Sequence, residues 1–168
     1  MVDRFNDFNI SKIVILGNGH FDGSHEPGVH QLALFLELSE RFDIKDVVFQ
    51  DPVITEVEKS FLTAKNITIR PGPDVNIEID SENNTLIGLI HGEHEILEQF
   101  LECNSTNLSK ITVLGNNYGA VNLALRKIKD TKIEEFFENS EIFTIPTRIS
   151  EEFHSNAFSD TCLMMPKR

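Results

Sequence analysis

Apolar residues fall in short runs that end abruptly in small or polar groups. Ile13-Val-Ile-Leu16, Val47-Val-Phe49, Leu86-Ile-Gly-Leu-Ile90 and Ile111-Thr-Val-Leu114 are the clearest. Runs this short, with little polar alternation, read as strands buried on both faces of a parallel sheet. They stop at Gly17-Asn18-Gly19, Gln50-Asp51, His91-Gly92 and Gly115-Asn116-Asn117. Between them the period changes. Val29 through Leu38 is apolar nearly all round, the mark of a helix buried against a sheet. Thr55-Glu-Val-Glu58 is a capping box, and Ile54, Val57, Phe61 and Ala64 follow helical spacing around it. Ile96, Leu97, Phe100 and Leu101 form a stripe behind the acidic first turn of Glu93 and Glu95. Val121, Ala124, Leu125 and Ile128 mark a further helix, and Thr131-Lys-Ile-Glu134 opens a last one near 132–138.

The pattern predicts strands at about 12–16, 46–50, 67–70, 85–90 and 110–114, with final strands near 142–145 and 160–164. Pro71-Gly-Pro73 stops the third strand, Asn76 to Asp80 adds a strand fragment, and Ser81 to Asn84 is a turn. Strands alternating with helices define an α/β, Rossmann-like fold, a mostly parallel sheet with helices on both faces. The last strands, near the C-terminus, can run antiparallel at the sheet edge. Residues 1–11 read as an N-terminal extension anchored by Phe5 and Phe8, and 12–168 as a single domain.

Charge narrows the partners. The formal net charge is -12, which repels phosphate backbones, and direct nucleic-acid binding is not expected. The densest basic cluster, Arg126-Lys127 with Lys129, reads as a solvated helix end. No apolar stretch approaches the ~18 residues of a membrane span, and no secretory signal opens the chain. Cys103 and Cys162 match no disulfide, metal or redox spacing, so both read as reduced thiols of a cytoplasmic or nuclear protein.

Candidate chemistry gathers where the strands stop, because open α/β sheets place ligands at the carboxyl ends of their strands. The glycines of Gly17-Asn-Gly19-His-Phe-Asp-Gly23 can bring backbone amides close to a phosphate or to S-adenosylmethionine, although tight strand-to-helix turns need glycine anyway. Asp51 lies farther along than the ~20 residues of the dinucleotide fingerprint. His91 can act as a base or hydrogen-bond the backbone at a strand end. His91-x-x-His94, joined by His20, His25 or His30, could ligate a metal, but no carboxylate is fixed to orient the imidazoles. No metal site is therefore expected, and His25 and His30 read as solvent-facing. Asn116, Asn117 and Tyr118 can line a polar crevice or serve as a turn and helix cap. Asp160-Thr161 can reach the crevice or pair backbone groups at a strand start. No Ser-His-Asp set, nucleophile elbow or Cys-His pair can be assembled.

Several segments taken in order resemble one family. Gln31-Leu-Ala-Leu34, Gln50-Asp-Pro-Val53 with Glu56, Leu86 through His91, Ile111 through Asn116, and Phe158-Ser-Asp-Thr161 look like the Sensitivity-to-Red-Light-Reduced-like domain from about residue 12 to 166. The chain departs from that pattern at Gln50, Ile54, Ile90, Gly92, Asn117, Ser159 and Cys162. Gly92 stands where the family carries a cysteine, which argues against thiolate chemistry at that strand end. Asp51, His91, Asn116 and Asp160 are retained.

The resemblance implies regulation, since relatives are tied to circadian rhythm, light signalling, cytoskeletal stress and haem metabolism. The first reading is a non-catalytic regulator acting through a protein partner, with a crevice for a small ligand lined by Gly17, Gly19, Asp51, His91, Asn116, Tyr118 and Asp160. The alternative is a cofactor-binding enzyme, transferase-like, holding S-adenosylmethionine or a nucleotide, or a haem-linked regulator. There His91 is the catalytic base, Asp51 holds ribose hydroxyls, and Asn116 and Tyr118 orient the substrate. A third reading is a structural adaptor with a vestigial crevice. The residues do not single out one cofactor.

Overall fold

The structure, a computed structural model, describes residues 8–23, 25–70, 72–119, 131–145 and 157–167. Seven strands form one sheet: β1 (Ile10–Leu16), β2 (Asp46–Gln50), β3 (Thr68–Arg70), β4 (Asn84–Leu89), β5 (Ile111–Asn116), β6 (Ser140–Thr144) and β7 (Thr161–Pro166). Their order is β3-β2-β1-β4-β5-β7-β6. The first five pair in parallel, and β7 lies antiparallel between β5 and β6. The mostly parallel sheet and the antiparallel strands near the C-terminus are as expected.

Helices α1 (Pro27–Arg41), α2 (Glu56–Ala64), α3 (His94–Cys103) and α4 (Lys132–Glu138) cover it. Both faces are covered, because neighbouring residues of a strand point to opposite sides. Ile13 and Ile15 join Leu32, Phe35 and Leu62 of α1 and α2 in one apolar cluster. Val14 and Leu16 join Leu97, Phe100 and Leu101 of α3 and Ile133 and Phe136 of α4 in the other. Among the described residues no helix is long and apolar enough to cross a membrane.

Local chemistry sets the helix starts. Pro27 opens α1, where a missing N–H costs nothing. The capping box of α2 forms: Thr55 accepts from the Glu58 N–H, and the Glu58 carboxylate accepts from the Thr55 N–H. At α4 the Thr131 hydroxyl accepts from Glu134 N. The Glu98 carboxylate of α3 accepts from Lys132 N at 2.7 Å and Ile133 N at 2.9 Å, tying the two helices together.

Three expectations need correction. On α2 the inward residues are Glu58 and Leu62, whereas Val57 is 70% exposed and Phe61 43%, and Ala64 is exposed. The Ile54-Val57-Phe61-Ala64 stripe therefore faces mainly outward: Glu58 turns into the protein to satisfy backbone N–H groups, and it rotates the helix with it. The strand fragment at 76–80 does not form. Val75, Ile77 and Ile79 are buried, but Asn104 supplies the partners a ladder would have, accepting from Ile79 N at 2.9 Å and donating to Ile77 O at 2.9 Å. Finally, β1 begins at Ile10 and β4 at Asn84, so the first strand reaches into the expected extension and the fourth into the expected turn. The helix marked by Val121, Ala124, Leu125 and Ile128, and the basic cluster Arg126, Lys127 and Lys129, lie outside the described residues, as does Phe5.

Asn104 is 2% exposed and also donates to Phe100 O. Asn104→Ala is expected to cost about 2 kcal/mol, since it strands the Ile79 N–H in the interior. Urea unfolding measures that loss, and unchanged stability would show that the 75–80 segment does not depend on this amide.

Candidate functional site

The sheet reverses its winding between β1 and β4, since the chain moves outward from β1 to β2 and β3 and then returns to β4. That switch point leaves a crevice at the strand carboxyl ends. Gly17 and Gly19 turn the chain out of β1 in the left-handed region, with φ of 55° and 72°. Asn18 between them is buried and donates to Gly28 O and Gly19 O. The loop lies directly on the start of α1, where a side-chain carbon at Gly28 would come within 2.4 Å of His20 O.

Two carboxylates hold this loop. Asp51, 3% exposed at the end of β2, accepts from Gly19 N at 2.8 Å and from Val53 N at 2.9 Å. Glu58, 1% exposed, accepts from Phe21 N through Oε1 and Thr55 N through Oε2. Burial pushes the Glu58 carboxyl up, but the backbone donors Thr55 and Phe21, with the His20 ring and the Thr55 hydroxyl, outweigh it and hold the group below its ordinary value. A depressed carboxyl contributes stability above its unfolded-state pKa and loses it as pH falls through the folded value. Glu58→Gln is thus expected to flatten the loss of stability as pH falls below the ordinary glutamate value in urea titrations. An unchanged acid limb would mean the charge is not what holds Phe21.

The β4 and β5 ends form a second clamp. His91 adopts φ 58° two residues after the end of β4. Its N–H donates to Asn116 Oδ1 at 2.9 Å, and Asn116 Nδ2 donates to Gly92 O at 3.0 Å. Asn116 is therefore the last residue of a strand and a strap on its neighbour. His91 Nε2 lies 2.8 Å from Ser159 O and 3.3 Å from Ser159 Oγ. A carbonyl only accepts, so Nε2 carries the proton in that contact, and Nδ1 is the basic nitrogen of the neutral ring. Asp160, φ 51°, offers its carbonyl to Asn117 N at 2.9 Å, one of the two roles the sequence left open for it.

The structure brings Gly17, Gly19 and Asp51 together at one end of the crevice, and His91, Asn116 and Asp160 at the other. It separates Tyr118, which is 1% exposed and packed in the cluster beneath α3 and α4. The histidines do not assemble around His91. His94 meets Glu95 at 3.1 Å, His25 is exposed, and His30 is half-buried, where a solvent-facing position was expected. His20 instead joins Asp22 and Glu58, with one ligand atom of each within 4.8 Å of the others. Neither thiol is activated. Cys162 is raised to about 12 by burial and by Asp160, and Cys103 is raised by burial and by Glu78 and Asp74.

Three site residues escaped the sequence reading. Gln31 donates to Ala157 O at 3.0 Å and ties α1 to the turn that leads into β7. Its signal was a lone amide inside an apolar helix. Gln50 donates to Gly72 O at 2.5 Å from a run otherwise read as strand. The reach of Glu58 to Phe21 had no local signal, because the capping box already accounted for the residue.

Fold and site together define a doubly wound, Rossmann-like α/β domain whose strand-end polar groups bind its own loops. The SRR1 domain family matches residues 2–165, essentially the whole chain. This protein belongs to the SRR1 domain family. No curated protein matches the sequence. Among solved structures, the chain is similar to the plantazolicin methyltransferase BpumL, solved in complex with a triazolic desmethylPZN analog and SAH, at 14% identity and a TM-score of 0.38, covering 93% of this chain and 77% of that one.

Proposed function

We propose that this protein is a non-catalytic regulator of the cytoplasm or nucleus that acts through a protein partner, with its crevice as a shaped framework. The observation that carries this reading is how the crevice groups are used. Asp51 holds Gly19 and Val53, Asn116 holds His91 and Gly92, and His91 faces Ser159 O. A group committed to its own backbone is poorly placed to move protons on a substrate, where geometry comes before pKa. Membership of the SRR1 domain family supports the same reading. The test is native purification of the full chain from cells that express it. A stoichiometric protein partner, retained by His91→Gln, is expected. Absence of any such partner would overturn the proposal.

A second reading is favoured by one observation. Gly17 and Gly19 hold the left-handed backbone at the switch point, where cofactor loops of doubly wound folds lie. On that reading the crevice takes S-adenosylmethionine, a nucleotide or haem. Each at about 100 times its dissociation constant would then stabilise the fold by about 2.7 kcal/mol, and no shift with any of them retires the reading.

A further inference from the structure

Asn18-Gly19 is the single Asn-Gly step in the chain, and it lies in the turn that leaves β1. The pairing is chemically fragile. An asparagine side chain can be attacked by the backbone nitrogen that follows it, and glycine, with no side chain, hinders that attack least. Here both reacting groups are held in other bonds. Gly19 N, the nucleophile, donates to Asp51 Oδ2 at 2.8 Å. Asn18 Nδ2, the leaving group, donates to Gly28 O and Gly19 O, each at 3.2 Å. The side-chain amide is nevertheless only half satisfied. Asn18 is 7% exposed, and its Oδ1 is buried with no hydrogen-bond partner among the described residues. An acceptor buried in that way meets water when the loop opens, which lowers the cost of opening. The same opening frees Gly19 N from Asp51.

We propose that Asn18 is a self-modifying site, closed to deamidation while Asp51 holds Gly19 and open to it once that bond is released. In the released loop Gly19 N gives its proton to solvent and attacks Asn18 Cγ. The new C–N bond closes a five-membered succinimide. The Cγ–Nδ2 bond breaks, and Nδ2 takes a proton from solvent and leaves as ammonia. Water then opens the ring at either carbonyl, leaving aspartate or isoaspartate at position 18. Water is the only co-reactant. Either product unlatches the loop. A carboxylate has no N–H to give Gly28 O and Gly19 O, and its charge would be buried against those carbonyls. Isoaspartate also adds one atom to the backbone before Gly19, which carries Gly19 N out of register with Asp51. The change is one-way, and the site requires neither a protein partner nor a cofactor.

The test is peptide mapping by mass spectrometry of the full chain aged in mildly alkaline buffer, with isoaspartate assayed alongside. Deamidation adds one mass unit, which separates it from isomerisation of Asp22-Gly23 in the same loop. Asn18 of the folded chain is expected to react about 100-fold more slowly than in the same chain unfolded in urea. The rate follows the population of the open loop. Asp51→Ala should remove most of that protection and bring the rate within about threefold of the unfolded chain. Asp51→Asn, which keeps one acceptor oxygen, should fall between them, and it carries the test if the alanine variant does not fold. Gly88→Ala is the control. It disturbs the packing of Phe35, away from the clamp, and should leave the Asn18 rate unchanged. In the isolated product the Gly19 amide should exchange as an open loop does, while His91 stays protected. Equal or slower reaction in the Asp51 variants, equal acceleration by Gly88→Ala, no protection in the folded chain, or a product that keeps its Gly19 amide protected would each overturn the proposal.

Discussion

Gly88→Ala is expected to destabilise the protein by about 3 kcal/mol, the upper end of the usual cost of overpacking a core. Gly88 lies in β4 against α1, and a side-chain carbon there would fall 2.1 Å from Phe35 Cζ and within 2.7 Å of both Cε atoms. Phe35 cannot move aside, because it is 1% exposed and enclosed by the cluster beneath α1 and α2. The strain therefore has to push the helix away from the sheet. Shortening the ring makes the room. Phe35→Leu alone leaves a void and loses stability, yet the double variant Gly88→Ala with Phe35→Leu is expected to be more stable than Gly88→Ala. Urea unfolding of the four proteins settles it, and strictly additive losses would show that the glycine and the ring are not in contact.

Asp51→Ala is the second large effect, again about 3 kcal/mol. It removes the acceptor of two backbone N–H groups, Gly19 and Val53, from a site only 3% exposed. Gly19 sits in a left-handed turn whose other restraint, Asn18, holds its carbonyl and not its N–H. Asp51→Asn keeps one acceptor oxygen and is expected to cost about half as much. Equal stability of Asp51→Ala and the unaltered chain would mean the carboxylate is free for other work, as the cofactor reading requires.

The sheet was legible because its central strands are buried on both faces. Runs such as Ile13 to Leu16 and Val47 to Phe49 leave no other way to hide their apolar surface. Strand edges were less legible. Ile10 joins β1 from a polar context because Asn84 beside it extends β4 to meet it. The 75–80 segment has the composition of a strand and the burial of one, but its hydrogen bonds go to Asn104, a residue 25 positions from Ile79 that no local pattern predicts. On α2 helical spacing pointed to the wrong face, because the capping box gave no sign that Glu58 is buried with Leu62.

The site was half legible for a related reason. Polar residues at strand ends are visible in the sequence, so Asp51, His91 and Asn116 stood out. What they do depends on partners far along the chain, such as Ser159, 68 positions from His91. Tyr118 looked like a crevice residue by its place after Asn116, yet the backbone carries it into the core beneath α3 and α4.

Amide hydrogen exchange in the ligand-free protein tests most directly whether the strand-end groups serve as internal clamps. The Gly19, Val53 and His91 amides are expected to exchange at least about 100-fold more slowly than an open loop, equivalent to about 2.7 kcal/mol of local opening energy. In Asp51→Ala the first two should lose that protection while His91 keeps it. Open-loop exchange at all three in the unaltered chain would contradict the clamps, and with them the regulatory reading built on them.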